Sequence, residues 1–150
     1  MNNDVIDTTD VTEIAGRLRP VLLTLARELR RELAPLGLTG GQASLIAAIH
    51  RTPGIGVADL AERERMSAPG MSANLSRLER KGYVIRTRDA AGDRRRVGLT
   101  LSPEGVKLLR RIRAVRTHWL ATRLDGLSPA ELAAVDAAIE PLSRLLGVRP

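Results

Sequence analysis

The chain has no cysteine and no phenylalanine, and only one Trp, one Tyr and two His among its 150 residues. Without thiols there is no disulfide, no thiolate zinc site and no cysteine-based redox sensor, a composition that fits a cytoplasmic protein without requiring one. Two histidines are too few for a histidine-rich metal centre. A core almost without rings must be built from Leu, Ala, Val and Ile, which favours packed helices over a β-sandwich. No apolar run approaches membrane-spanning length, so no membrane association is expected. The opening segment MNNDVIDTTD is polar and acidic, with neither a basic n-region nor an apolar stretch. Residues 1–10 therefore read as a flexible intracellular leader. Phosphate-cradling glycine loops, metal-ligand spacings, G-x-S-x-G and a nucleophile–base pair are all missing, so nothing points to an enzyme or to a cofactor.

Hydrophobic residues make up 43% of the chain and charged residues 27%, a globular composition long enough for one domain with a genuine core. The net charge of +7 is unevenly spread. Residues 77–96 hold Arg77, Arg80, Lys81, Arg86, Arg88, Arg94, Arg95 and Arg96 against Glu79, Asp89 and Asp93, a net of +5 that leaves +2 for the remainder. Such a block suits a surface facing a polyanion, although a solvated charged face explains the charge alone equally well.

Apolar spacing predicts a mainly α fold of six helices with a small β-hairpin wing. The first helix, residues 11–33, aligns Ile14, Leu18, Val21, Leu22, Leu25, Leu29 and Leu33, with Asp10 as N-cap and a kink expected at Pro20. Thr39 and Gln42 form a capping box for the second, which carries Leu45, Ile46 and Ile49. A third helix begins at Val57, breaks at Met66-Ser67, and hands over to a fourth that Ser67 caps and Gly82 ends. In that fourth helix Met71, Leu75 and Leu78 form the inward stripe. Ser72, Ala73, Ser76, Arg77 and Arg80 face outward, and Asn74 falls between the two faces. Residues 83–88 and 97–101 read as two strands of a hairpin tipped by Asp93, Arg94, Arg95 and Arg96. Ser102-Pro103 opens a fifth helix with Val106, Leu109, Ile112, Val115 and Trp119 on one face. The box Ser128–Glu131 opens a sixth, bearing Leu132, Val135, Ile139 and Leu142.

Two short helices, the second slim and polar on its outer face, then a basic hairpin: this order predicts a winged helix-turn-helix. A helix enters the major groove only if its outward side is slim near its N-terminus, where base edges are closest. Ser72 and Ser76 can donate to or accept from bases, and Arg77 and Arg80 can reach guanine or phosphates. Arginines crowded on a hairpin tip repel one another, and a narrow, negative minor groove is where they gain most. Asp93 can pair with Arg95 or Arg96 and fix one of them. The candidate DNA-contacting residues are Ser67, Pro69, Gly70, Ser72, Ala73, Ser76, Arg77, Arg80, Arg88, Asp93, Arg94, Arg95 and Arg96. The winged unit spans residues 39–101 within a single domain of residues 11–150. Residues 11–34 and 103–148 supply further apolar helices, whose exposure would exceed what a soluble monomer tolerates. Pairing with a second copy would bury them, giving a homodimer on a pseudo-palindromic operator in double-stranded DNA.

These residues resemble the MarR family of bacterial regulators over residues 11–147. The likeness rests on "LTGGQASLIAAI", on "VADLAERERMSAPGMSANLSRLERKGYVIR", and on the wing string "DRRRVGLTLSPEG". It implies a reading helix over residues 68–81, with Asp93 stabilising the wing and Arg95 entering the minor groove. It also implies repression released by a small anionic or aromatic effector, bound between the dimerisation helices and the reading unit. Arg17, His50, Arg113, His118 and Trp119 are the candidate residues for such a ligand, although a lone His or Trp on a helix is more often a packing residue. One departure stands out: many relatives place an arginine early in the reading helix, where this chain has Ala73 and Asn74. Two rival readings are a winged-helix protein-interaction module, its basic hairpin facing an acidic partner, and a sequence-neutral nucleoid-associated DNA-binding protein.

Overall fold

Capping chemistry fixes the starts of the principal helices. In the computed structural model, which describes residues 8–88 and 97–147, the Thr39 hydroxyl accepts from the Gln42 amide at 3.2 Å while the Gln42 side chain accepts from the Thr39 amide at 3.1 Å. This reciprocal box starts α2 (Gly40–Arg51). Before it lie α1 (Thr8–Arg31) and a tight turn of 3-10 helix at Ala34–Leu36. The first helix starts earlier than its sequence suggests, which places Asp10 in its first turn rather than at its cap; there the carboxylate still complements the helix dipole. It runs through Pro20 as one helix.

A two-residue strand β1 (Ile55–Gly56) leads into α3 (Val57–Arg63), α4 (Ala68–Arg80), β2 (Val84–Arg88), β3 (Val97–Leu101), α5 (Pro103–Leu124) and α6 (Pro129–Leu145). The sheet is therefore three-stranded, antiparallel, in the order β1-β3-β2, rather than a bare hairpin. Pairing runs from Val84 opposite Leu101 to Arg88 opposite Val97, and Ile55 lies opposite Leu99. Gly98 permits the third strand: a Cβ there would sit 2.5 Å from the Gly54 carbonyl oxygen.

The fold divides into two compact units, with the boundary inside α5 between Val115 and Arg116. In the first unit Leu45, Ile46 and Ile49 of α2, Leu60 of α3, and Met71, Leu75 and Leu78 of α4 are all fully buried. Leu33, Leu38, Ile55, Val84, Leu99, Leu108, Leu109 and Ile112 belong to the same core. The buried face of α5 is thus wider than its spacing suggests, since Leu108 joins it while Val106 and Val115 are half-buried. Ser102 joins the elements: its hydroxyl donates to the Gly82 carbonyl at 2.5 Å and accepts from the Gly105 amide at 3.0 Å. One side chain thereby caps α5 and holds the end of β3 to the turn after α4. Within the chain, Ile14, Val21 and Leu22 of α1 remain exposed.

The second unit holds the end of α5 and α6. Ser128 and Glu131 form a second complete capping box. Leu132, Val135 and Ile139 of α6 are 41–49% exposed. Trp119 is buried, with the Arg123 guanidinium 3.6 Å from its ring centroid.

Two outcomes follow from these contacts. Gly98→Ala should lower unfolding stability by about 1–3 kcal/mol through overpacking, whereas Gly16→Ala, with nothing within 4 Å, should raise it by about 0.8–1 kcal/mol through helix propensity; urea denaturation of both variants measures the contrast. The hydrogen bonds from the Ser128 hydroxyl and amide hold the Glu131 carboxyl below its ordinary value of 4.5. Its stabilising contribution is therefore fully present above 4.5 and fades as pH falls through the lowered folded value. The stability difference between the parent chain and Glu131→Gln should shrink on acidification below pH 4.5, as thermal melts across an acid series would record.

Candidate nucleic-acid interface

The outer face of α4 is set by what its inner face buries. Met71, Leu75 and Leu78, spaced by four and three residues, are all fully buried, so the helix cannot turn about its axis. Ser72, Ala73, Ser76, Arg77 and Arg80 are consequently exposed on the other side. Ser67 starts the helix as its spacing predicts, its hydroxyl accepting from the Gly70 amide at 3.3 Å. Pro69 occupies the first turn, where a missing N–H leaves no helical bond unmade. Ser67 and Pro69 are exposed and Gly70 half-buried, so the helix begins narrow, with no bulky side chain at its leading end.

Asn74 resolves to the inner edge of this surface. It is half-buried, and its amide nitrogen donates to the Gly70 carbonyl at 2.9 Å and to the Met66 sulfur at 3.7 Å. Its N–H groups are thus engaged within the protein. The Arg80 side chain lies along its own helix, its Nε donating to the Ser76 carbonyl at 3.3 Å. The Arg77 side chain makes no hydrogen bond or ion pair among the described residues and is exposed.

The basic block is partly compensated internally. Arg86 on β2 is 2.5 Å from the Glu79 carboxylate on α4, and Lys81 donates to the Gly37 carbonyl at 3.0 Å. Sequence spacing alone did not separate these restrained cations from Arg77. Arg88 ends β2 opposite Val97 by its backbone; its side chain, and Asp93, Arg94, Arg95 and Arg96 entirely, lie outside the described residues.

The turn between α3 and α4 holds a feature that spacing did not flag. Arg65 is the only non-glycine with positive φ among the described residues, at 49°. Left-handed backbone costs roughly 1–2 kcal/mol for a residue with a Cβ.

The candidate ligand residues fall in both units, Arg17, His50 and Arg113 in the first and His118 and Trp119 in the second. Arg17 on α1, His50 in the last turn of α2 and Arg113 on α5 are exposed, and no hydrogen bond or ion pair joins them to one another among the described residues. In the second unit the His118 ring is exposed and its carbonyl accepts from the Thr122 hydroxyl at 2.9 Å. Trp119 pairs with Arg123 as a packed cation–π contact. No group of three or more metal-ligating side chains occurs among the described residues, and no helix there is long and apolar enough to cross a membrane.

Comparison with known proteins agrees with this geometry. A sequence model of the MarR family matches residues 36–96. A putative transcriptional regulator from Pseudomonas aeruginosa superposes with a TM-score of 0.79 at 33% identity, over 95% of this chain and 100% of that one. An HTH-type transcriptional regulator of Mycobacterium tuberculosis is 27% identical over 91% of this chain and 95% of its own length. A MepR variant of Staphylococcus aureus, bound to an oligodeoxyribonucleotide, shares the fold with a TM-score of 0.66 at 24% identity, over 89% of this chain and 97% of that one.

The cap at the head of α4 yields a direct check. Ser67→Ala should lower stability by about 1 kcal/mol while Ser67→Asp, which keeps an acceptor, should stay near the parent; urea unfolding midpoints measure both.

Proposed function

This chain belongs to the MarR family and is a transcriptional regulator, not an enzyme; from that premise we propose that it is a repressor that grips a specific operator in double-stranded DNA as a homodimer. The observation that carries the reading is α4 itself: three fully buried apolar residues on one side, and on the other a slim serine-bearing face leading to Arg77, whose side chain has no partner among the described residues. Ser72 and Ser76 are the base-reading candidates, while Ser67, Pro69, Gly70 and Ala73 let the backbone approach the groove. Arg77 and Arg80 serve guanine or phosphate. On the wing, Arg94, Arg95 and Arg96 with Arg88 meet the minor groove, Asp93 orienting Arg95.

Support for the dimer comes from the ends of the chain. Ile14, Val21 and Leu22 on α1 and Leu132, Val135 and Ile139 on α6 are large, apolar and exposed in the single subunit. In this reading residues 39–101 are the DNA-binding unit, and residues 11–34 and 103–148 pair with their counterparts on a second copy. A two-fold axis would set two reading helices roughly 34 Å apart, one turn of DNA, and call for a pseudo-palindromic operator. Release by a small anionic or aromatic effector completes the proposal, with Arg17, His50, Arg113, His118 and Trp119 as its candidate contacts. It rests on the family resemblance. The regulator would act in the cytoplasm, where its DNA is.

The test is binding of the full chain to a labelled duplex of its own upstream region, against a scrambled duplex. Specific binding should fall steeply with salt, by about 0.9 in log–log slope for each phosphate neutralised. Arg95→Ala should weaken it, and Ser72→Ala should reduce preference for the operator over the scrambled duplex. Val135→Glu with Ile139→Glu should convert a sedimenting dimer to monomers and abolish tight operator binding. An unshifted probe would make this a protein-interaction module. A salt slope without sequence preference would make it a sequence-neutral DNA-binding protein.

A further inference from the structure

Two helices of this protein end in the same hydrogen-bonded turn, but with different residues at its critical position. After α4, the Gly82 amide donates to the Glu79 carbonyl at 2.9 Å and the Tyr83 amide to the Leu78 carbonyl at 3.0 Å. After α3, the Arg65 amide donates to the Glu62 carbonyl at 3.1 Å and the Met66 amide to the Ala61 carbonyl at 2.9 Å. Both are the six-to-one and five-to-two pattern that requires a left-handed residue between the helix and the outgoing chain. Gly82 meets that requirement at φ 75°, without a Cβ to clash. Arg65 meets it at φ 49° against the steric preference of its own side chain.

Among the described residues the strain has no visible return. Arg65 is exposed, and it forms no side-chain hydrogen bond or ion pair among the described residues. Its acidic neighbour Glu64 is engaged elsewhere, accepting from the Ser44 hydroxyl at 2.7 Å. Arg63 likewise spends a donor on the Thr52 hydroxyl at 2.8 Å. Arg65 therefore presents an unshared guanidinium from a fixed turn, two residues before the Ser67 cap of α4. Strained backbone concentrates where function holds it.

We propose that Arg65 is a phosphate-contacting residue that positions the leading end of α4 on duplex DNA, an inference that rests on the DNA-binding reading above. The turn's two backbone hydrogen bonds hold the chain at Arg65, so the guanidinium extends from a rigid base beside the groove-facing helix. A planar guanidinium matches phosphate oxygens in a fork that an ammonium cannot reproduce. Since phosphates are the same at every base pair, this contact strengthens binding without reading sequence.

The test compares the full-length parent, R65G and R65K on a labelled duplex of roughly 30 base pairs carrying the chain's own upstream region, enough for two half-sites, and on a scrambled duplex. R65G removes the strain and the charge together. Its thermal midpoint should equal or exceed the parent's, by up to roughly 8 °C. Its affinity should nevertheless fall by a similar factor on both duplexes, with the salt slope shallower by about 0.9 per subunit. R65K should restore the slope but only part of the affinity. R65G binding with the parent's affinity and slope overturns the proposal while leaving the DNA-binding reading intact. An R65G protein that melts well below the parent assigns the side chain to the fold and overturns it as well. A parent chain that binds neither duplex removes the reading beneath it, and this proposal with it.

Discussion

Burial of Met71, Leu75 and Leu78 is the constraint from which the remaining surface chemistry follows. Each side chain, taken from water into a packed interior, stabilises the fold by about 1.5–3 kcal/mol. Rotating α4 by one residue would expose part of that stripe and bury serine or arginine in its place, at a further penalty for each unpaired polar group. The helix thus has one orientation, and its polar face is aimed by the apolar residues opposite rather than by contacts of its own. The fully buried Leu60 of α3 and Leu45, Ile46 and Ile49 of α2 belong to the same core. Ser72, Ser76 and Arg77 are in this sense displayed by a rigid scaffold, which is what a recognition surface needs before its partner arrives.

Charge is distributed more selectively than the raw sum of the basic block implies. The exposed Arg86–Glu79 pair contributes little stability in water, yet it ties β2 to α4 and offsets one positive charge. Lys81 is held at the Gly37 carbonyl, and the Arg80 chain lies back on its own helix. Among the described residues, Arg77 and Arg65 remain as unshared cations close to the leading helix pair. A field from a few cations on fixed elements is better focused than one from many mobile ones, because less side-chain entropy is lost on contact.

Local chemistry was the legible part of the sequence. Thr39 with Gln42, Ser67, and Ser128 with Glu131 announce their helix starts because the acceptor and the orphan amide lie within four residues of each other. The buried stripe of α4 was legible for the same reason, since a period near 3.6 needs only thirteen residues to declare itself. Strand β1 was not: two residues cannot show a period of two, and its partner lies more than forty positions away. Only Gly98, small where the sheet needed a close approach to Gly54, hinted at it. The left-handed turn at Arg65 was hidden because propensity expects glycine there. Asn74 sat on the boundary between faces in the sequence and does so in space, its amide engaged by Gly70 and Met66. An effector site has no such local signature, because it is assembled by tertiary packing, of which single histidines and arginines in the sequence carry no mark.

The terminal helices call for a reason of their own. The core of the first unit closes around α2, α3, α4, the sheet and the first turns of α5, and it draws nothing from Ile14, Val21 or Leu22. Nor does any buried residue of α6 anchor that helix within the chain. If these helices served only as spacers, polar residues would do as well and would keep the surface soluble. Large aliphatic side chains recurring at helical steps and left exposed, as Ile14, Val21 and Leu22 of α1 and Leu132, Val135 and Ile139 of α6 are, instead fit a surface completed by a second copy. Under the proposed dimer that same contact would fix the separation of two reading helices, so the feature that would bury the apolar faces would also set which DNA spacing can be gripped. In that arrangement any ligand that loosened or re-angled the terminal helices would act on the DNA without touching α4, because the coupling would run through the spacing of two rigid heads rather than through the reading face.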